Sequence, residues 1–156
     1  MLKKNLATFR ALKSRQVEKI RPTLYLYNAR HRCYFSALKG VIELDDLLVY
    51  VHGSGFVSID STPHFFYAKY LNHDSSGNFS SYSNYIKDYY PSDDLISSQI
   101  NFQTTMSYVE AKYDLVNILI SANTTVPGKF TIVDGLHRSA IALAIGRVNI
   151  KCYIIF

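Results

Sequence analysis

Cysteine is scarce in this sequence of 156 residues, and tryptophan is absent. The two cysteines, Cys33 and Cys152, lie far apart and in no spacing typical of metal ligands, so no cysteine-based zinc site is expected. Two free thiols are favoured over a disulfide, because two isolated cysteines are usual in reducing compartments. The cysteine usage therefore predicts a cytoplasmic protein.

Long apolar runs are also missing. No stretch of about 18 apolar residues occurs, so no transmembrane segment is expected. The first residues, MLKKNLATFRALKSRQ, are basic but never develop the apolar core of a signal peptide. Hydrophobic residues make up 48% of the chain and charged residues 19%, which is typical of a folded domain and excludes a disordered chain. The length predicts one domain with a core of ordinary size.

Acidic residues are almost absent from positions 1–40, where ten basic side chains face a single acid, Glu18. From residue 41 onward seven basic residues face eleven acidic ones, so the basic character belongs to an N-terminal extension. Apolar residues at helical intervals predict an amphipathic basic helix over about residues 3–20, ended by Pro22. Residues 23–35 fit a strand or a continuation of this arm. An anionic partner for residues 1–40 (a membrane surface, a protein or a nucleic acid) and packing on the chain's own domain are both open.

Strands and helices are interspersed in residues 41–156. The strongest helical pattern is one apolar stripe with steps of four and three, which predicts a single long helix closed by 123–128: Phe102, Met106, Val109, Tyr113, Val116 and Ile120. Further elements are a strand from Val41 into a turn or short helix, helices over 64–71 and through Tyr82–Tyr89, and strands at 130–133 and 148–156. The prediction is an α+β fold with a small mixed β-sheet, packed helices and an N-terminal helical extension.

The segment FTIVDGLHRSAIALAIGRVNIKCYII, residues 130–155, carries the chemistry. A strand ends at Val133, Asp134 and Gly135 turn, and a helix begins, so His137, Arg138 and Ser139 occupy its first turn. Backbone N–H groups there lack intrahelical partners, and together with a guanidinium, an imidazole and a hydroxyl they favour anion binding. Gly135 would let the backbone approach a ligand closely. The alternative is a structural turn in which Asp134 caps the helix and the basic residues are solvated.

This segment resembles the nucleotide-binding box of the ParB/sulfiredoxin superfamily, in which a strand leads into an Asp-Gly-x-His-Arg turn, an Ala-rich helix, a Gly and a last strand. It is closest in form to the Asp-Gly-His-His-Arg box of the free-serine kinases of that fold, with Leu136 in place of the first His. The resemblance extends over residues 41–156, with 53–91 as a divergent insertion, and is sharp over the last 27. It implies that nucleotide phosphates are held by Gly135, Leu136, His137, Arg138 and Ser139, and that Asp134 orients His137 or binds Mg²⁺.

Departures from the superfamily narrow the choice of activity. Sulfiredoxins need a cysteine before the His-Arg pair, and Leu136 stands there, so that chemistry is not expected. Partition proteins follow this domain with a helix-turn-helix, whereas the last strand here reaches Phe156, and His137 replaces their usual Arg. Sequence-specific DNA binding is therefore disfavoured, although the basic arm would allow salt-dependent contact with nucleic acid.

The resemblance then implies a nucleotide-dependent phosphotransferase that uses ATP or ADP, or CTP as an alternative, with Mg²⁺, and an acceptor hydroxyl of an amino acid or a sugar. Some single-domain relatives accompany surface-polysaccharide biosynthesis. The general base is open, because Phe65 follows Pro63–His64 where the serine kinases carry Glu. The candidates are His64, Glu43, Asp60 and Glu110, with Asp134 as a further catalytic residue.

Two alternatives stand beside the kinase, namely a non-catalytic nucleotide-binding or partner-binding module and a nucleic-acid-associated ParB relative. Residues 65–90 hold six tyrosines and three phenylalanines, which suit either a half-buried core or a surface on which sugars or bases stack.

Overall fold

The computed structural model describes residues 10–11 and 37–155. Within this part of the chain the fold is α+β, with one mixed sheet and four α-helices. The strands are β1 (Arg10–Ala11), β2 (Ala37–Glu43), β3 (Leu47–Val51), β4 (Gly55–Ser58), β5 (Asn117–Ala122), β6 (Phe130–Asp134) and β7 (Asn149–Ile155). The helices are α1 (Pro63–Leu71), α2 (Phe79–Tyr89), α3 (Leu95–Lys112) and α4 (Leu136–Ala144).

The strand order across the sheet is β1-β2-β7-β5-β6-β3-β4. Neighbouring strands run parallel in the pairs β5/β7 and β3/β6 and antiparallel elsewhere, so the predicted mixed sheet is confirmed. Because β3 and β6 are parallel, their carboxyl ends lie at the same edge of the sheet. The turns that follow these two strands therefore meet there.

The core lies between one face of the sheet and the helices. Alternate side chains of β7 are buried, and the middle of α4 is inaccessible to solvent: Ile150, Cys152, Ile154, Ala140, Ile141 and Ala142. The small alanines of α4 allow close packing, and α4 contacts both α1 and α3. These contacts bring the first turns of α1 and α4 together.

The single long helix predicted from the apolar stripe is wrong in its second half. Phe102, Met106 and Val109 do form the buried face of α3, but the helix ends at Lys112 and one 3-10 turn follows. Residues Asn117–Ala122 are a strand between β6 and β7, with Ile118, Leu119 and Ile120 buried. A strand buried within a sheet shows a nearly continuous apolar run rich in branched residues, and such a run matches helical spacing by chance.

The other predicted elements from residue 41 onward are confirmed in type, with ends shifted by a few residues. The loop at 73–78 separates α1 from α2, and α2 ends before Pro91. Gly146 has a φ of 81° directly after α4, as expected for a residue that ends a helix in the left-handed region.

The predicted N-terminal helix falls mostly outside the described residues, as does the 23–35 segment. Arg10–Ala11, the two residues of it that are described, pair with β2 as a short antiparallel strand, so the helix is wrong for these two. No helix in the described part of the chain is long and apolar enough to cross a membrane.

Candidate functional site

A cavity of about 1140 Å³ opens beyond the carboxyl ends of β3 and β6. Open sheets that contain parallel strands often bind ligands at this position, because the loops after the strands diverge there. One side of the cavity, here called the motif wall, is formed by Asp134, Gly135, Leu136, His137 and Arg138. Another part of the lining, the aromatic wall, is formed by Tyr82, Tyr85 and Tyr90 together with side chains of α3. The sequence-predicted turn thus lies at an accessible cavity.

Gly135 is the residue that precedes α4, and its φ is 104°. A Cβ at this position would lie 2.6 Å from Cγ2 of Ile118 and 3.2 Å from Nε of Arg138. Glycine is therefore required by the close packing of the turn on β5 as well as by its backbone conformation. The predicted reason, close approach of the backbone to a ligand, is not needed to explain this residue, although Gly135 does line the cavity.

Arg138 is held in place by its own turn. Its Nη2 donates to Oδ2 of Asp134 at 2.7 Å, and its Nη1 donates to the carbonyl oxygen of Asn117 at 2.6 Å. Asp134 thus orients the Arg138 guanidinium, whereas the resemblance implied that Asp134 orients His137 or binds Mg²⁺. A guanidinium has five N–H donors, so the group can still bind an anion while keeping these two bonds. The ion pair lowers the net positive charge of the motif wall.

His64 contacts both walls. It lies in the first turn of α1, where Thr62 Oγ1 accepts a hydrogen bond from the backbone N–H of Phe65 and so caps the helix in place of His64. The His64 ring centroid lies 5.1 Å from that of His137 and 5.4 Å from that of Tyr82. The two histidines, separated by more than 70 residues in sequence, are therefore adjacent.

Burial makes both imidazoles poor proton binders. Burial, and then the charge of neighbouring His137, lowers the pKa of His64 to about 3. Burial and the Arg138 guanidinium lower the pKa of His137, and the Asp134 carboxylate opposes that shift. Both rings are consequently neutral at pH 7 and each can offer one nitrogen as an acceptor. An anion bound beside them would raise both pKa values.

Two buried polar atoms at this cavity lack a hydrogen-bond partner within the described residues: Nδ1 of His64 and the hydroxyl of Tyr82. His64 is 5% exposed and Tyr82 is fully buried. Leaving such a group unpaired costs about 1–3 kcal/mol, so each of these atoms requires a partner, which is either an ordered water or a ligand.

The aromatic wall includes part of the tyrosine-rich region noted in the sequence. Tyr82 stacks on Tyr67 with ring centroids 4.5 Å apart, and Tyr85 contacts Tyr90 at 5.7 Å. Burial raises the pKa of Tyr82 to about 12, so its hydroxyl stays protonated and can donate a hydrogen bond. The region therefore contributes both to the core, through Tyr67, and to the cavity.

Sequence reasoning missed a polar stripe on α3 that also lines the cavity: Ser98, Asn101, Thr105 and Tyr108. Their steps of three, four and three put them on one face of the helix. The buried stripe of the same helix, which includes Phe102 and Val109, lies beside it. The helical periodicity applied to polar residues would have found this stripe, but nothing in the sequence said that it faces a cavity.

Several predicted site residues lie away from the cavity. Ser139 is fully buried, and its hydroxyl donates to the carbonyl oxygen of Gly135 at 3.0 Å, so the first turn of α4 itself occupies this group. Glu43 is exposed at the end of β2, opposite Asn149. Asp60 accepts hydrogen bonds from neighbouring serines, and Glu110 is exposed on α3. Among the candidate bases, His64 and Asp134 line the cavity.

A metal site made of protein ligands alone is not found in the described residues, where no group of three or more His, Cys, Asp or Glu side chains converges. Mg²⁺ in nucleotide sites is commonly held by one or two carboxylates together with the phosphates. Asp134 lines the cavity and fits that mode.

Comparisons of this chain with protein-family models, with curated proteins and with solved structures found no match.

Proposed function

We propose that this protein is a nucleotide-dependent phosphotransferase of the ParB/sulfiredoxin type, which transfers a terminal phosphate from ATP or ADP to a small hydroxyl compound. The observation that carries the proposal is the convergence, in one cavity, of the Asp134–Arg138 turn with His64, whose Nδ1 is buried and unpaired. The turn supplies anion-binding groups and His64 supplies a proton acceptor. These two functions are what phosphate transfer to a hydroxyl requires.

The phosphate-binding part of the proposal rests on the start of α4. The backbone N–H groups of its first turn point out of the helix at its positive end, and Leu136, His137 and Arg138 all line the cavity. Arg138 keeps its bond to Asn117 and offers its remaining N–H groups to phosphate oxygens. The Asp134 carboxylate would repel an anion, and Mg²⁺ bound to it would remove that repulsion and neutralise charge on the phosphates.

The catalytic part rests on His64. An acceptor hydroxyl beside it attacks the terminal phosphorus, and a new O–P bond forms as the bond to the leaving nucleotide oxygen breaks. The hydroxyl proton passes to Nδ1 of His64 and then to solvent. A pKa of about 3 is too low for an efficient base, but the negative charge of a bound phosphate raises it toward the working pH.

One observation favours a non-catalytic nucleotide-binding module as the second candidate. Glu43 and Glu110 do not line the cavity, and Asp134 already pairs with Arg138, so none of the carboxylates named as candidate bases lies in the cavity without an ion pair. If the pKa of His64 stays low with ligand bound, the site would bind a nucleotide without transferring phosphate. The nucleic-acid-associated alternative depends on the basic arm, which lies mostly outside the described residues.

The test measures binding and transfer separately. ATP, ADP and CTP are titrated into the protein with Mg²⁺ by calorimetry, and labelled nucleotide is then incubated with a panel of sugars and hydroxyl amino acids. We expect one nucleotide to bind and its label to appear on an acceptor. Binding without transfer supports the module, and no binding of any nucleotide contradicts both candidates. Arg147→Ala serves as the matched control for Arg138→Ala, because Arg147 is exposed and stacks on Tyr113 away from the cavity.

A further inference from the structure

Away from the motif wall, the described residues that line the cavity carry little charge. On the aromatic wall Tyr90 is 38% exposed, whereas Tyr82 and Tyr85 are buried. The polar stripe of α3 presents two hydroxyls, an amide and a phenol: Ser98, Thr105, Asn101 and Tyr108. Among the described residues that line the cavity outside the motif wall there is one carboxylate, Asp93, and no lysine or arginine. A ligand bound here therefore meets flat apolar faces and neutral hydrogen-bonding groups.

A free amino acid fits this surface poorly. Its carboxylate and ammonium would both have to leave water, and each would need a charged partner in the cavity. Asp93 could meet the ammonium, but Arg138, which is the one arginine or lysine among the described lining residues, belongs to the motif wall and already pairs with Asp134. A neutral sugar fits better, because its C–H faces can pack on the exposed rings of Tyr90 and Tyr108 and its hydroxyls bond to neutral donors and acceptors.

The two unpaired buried atoms favour a hydroxyl group as the part of the ligand that binds beside them. The Tyr82 hydroxyl, kept protonated, is a donor, and Nδ1 of neutral His64 is an acceptor when the ring proton is on Nε2. Their ring centroids lie 5.4 Å apart in an edge-to-face contact. A ligand hydroxyl can accept from the first and donate to the second, whereas an ammonium only donates and a carboxylate only accepts. A sugar and a hydroxyl amino acid both carry such a group, so the choice between them rests on the charge of the lining.

We propose that the acceptor is a neutral sugar whose reacting hydroxyl binds between Tyr82 and His64, with its other hydroxyls on the polar stripe of α3. This inference rests on the proposed phosphotransferase function for the role of the hydroxyl, but sugar binding itself does not require nucleotide. Tyr82 and Asn101 are then specificity residues, and His64 is the group that receives the proton.

The experiment measures sugar binding without nucleotide, using ligand-observed NMR on the full chain with glucose, galactose, mannose, N-acetylglucosamine and ribose, and with serine and threonine as zwitterionic probes. At least one sugar is expected to bind, and neither amino acid. Tyr82→Phe removes one hydroxyl and keeps the ring, so the affinity of that sugar should fall roughly tenfold. Asn101→Ala should weaken it by a similar factor. Tyr67→Phe is the matched control, because Tyr67 stacks on Tyr82 but does not line the cavity.

The outcomes separate this inference from the proposed function. If label passes from the nucleotide to serine or threonine and no sugar binds in the NMR experiment, the proposed sugar acceptor is overturned and the phosphotransferase function stands. Suppose that the affinity for the sugar falls in Tyr82→Phe but not in Tyr67→Phe, and that no nucleotide binds in the calorimetric titrations. This result supports the sugar site and overturns the phosphotransferase. If no sugar binds, or if Tyr82→Phe binds as tightly as the wild type while thermal unfolding shows it folded, the inference is overturned.

Discussion

The two walls of the cavity differ in how well their polar groups are satisfied. On the motif wall, Arg138 donates hydrogen bonds to Asp134 and to the carbonyl oxygen of Asn117. The aromatic wall has no recognisable motif, yet it carries the unpaired hydroxyl of Tyr82. His64 joins the two and leaves Nδ1 unpaired. A sequence motif thus marks the charged groups, whereas the unsatisfied hydrogen-bonding groups come from other elements that line the same cavity.

If His64 accepts the proton of a hydroxyl that attacks a phosphate bound at the motif wall, its substitution should have the largest effect on the rate of transfer. His64→Gln is expected to lower the rate of phosphate transfer by about 100- to 10,000-fold, the usual contribution of a general base, while nucleotide affinity stays nearly unchanged. Single-turnover transfer and calorimetric nucleotide titration measure the two quantities. His73→Asn is the control, because His73 is exposed in the loop after α1 and has a φ of 57°, which Asn tolerates. Equal rates of phosphate transfer for His64→Gln and wild type would show that His64 is not the general base.

The lowered pKa of His64 predicts that the protein loses stability in acid. The folded-state pKa of His64, about 3, lies below the ordinary value of 6.5, so the unfolded chain binds more protons between these values. Stability is therefore fully present above pH 6.5 and is lost as the pH falls toward 3, by up to about 4–5 kcal/mol. The lowered pKa of His137 adds to this loss.

Urea unfolding of the wild type and of His64→Gln between pH 3 and 7 measures this effect, since the free energy of unfolding of the variant should depend less on pH. An identical slope in both proteins would show that His64 is solvated and that its Nδ1 is not buried between the walls.

Arg138→Ala tests whether the motif wall binds the anion. Loss of charge-assisted bonds to phosphate, together with an unpaired Asp134 carboxylate beside the ligand, should weaken nucleotide binding by about 100-fold. The loss of stability should be about 1 kcal/mol or less, because both members of this ion pair are partly exposed. Calorimetric nucleotide titration of Arg138→Ala and of the control Arg147→Ala compares their affinities. Equal nucleotide affinities in the two variants would mean that Arg138 has only a structural role.

The smallest predicted effect distinguishes a satisfied tyrosine from an unsatisfied one. Without ligand, Tyr82→Phe removes a buried unpaired hydroxyl and should raise the free energy of unfolding by about 1 kcal/mol. Tyr67→Phe removes a hydroxyl that is hydrogen-bonded to Gln103 and should lower it by a similar amount. Chemical denaturation of the two variants measures the sign directly. Destabilisation by Tyr82→Phe would mean that this hydroxyl already has a partner.

Local signals in the sequence determined the turn and its helix. Asp134-Gly135 required a turn, the alanine-rich run that follows favoured a helix, and Gly146 ended it; each of these depends on the backbone preferences of a few adjacent residues. The exposed start of α4 followed from the same local chemistry. For this reason the motif wall could be predicted without knowledge of the rest of the fold.

The tertiary structure alone decided the strand at Asn117–Ala122 and the cavity itself. Residues 116–120 satisfy helical and strand spacing equally, and only pairing with β6 and β7 selects the strand, because those hydrogen bonds come from segments distant in sequence. Contact between His64 and His137 likewise depends on how α1 packs on α4. The sequence by itself therefore determined which groups could bind phosphate, whereas long-range packing decided what faces them, since side chains from separate elements meet only when the core forms.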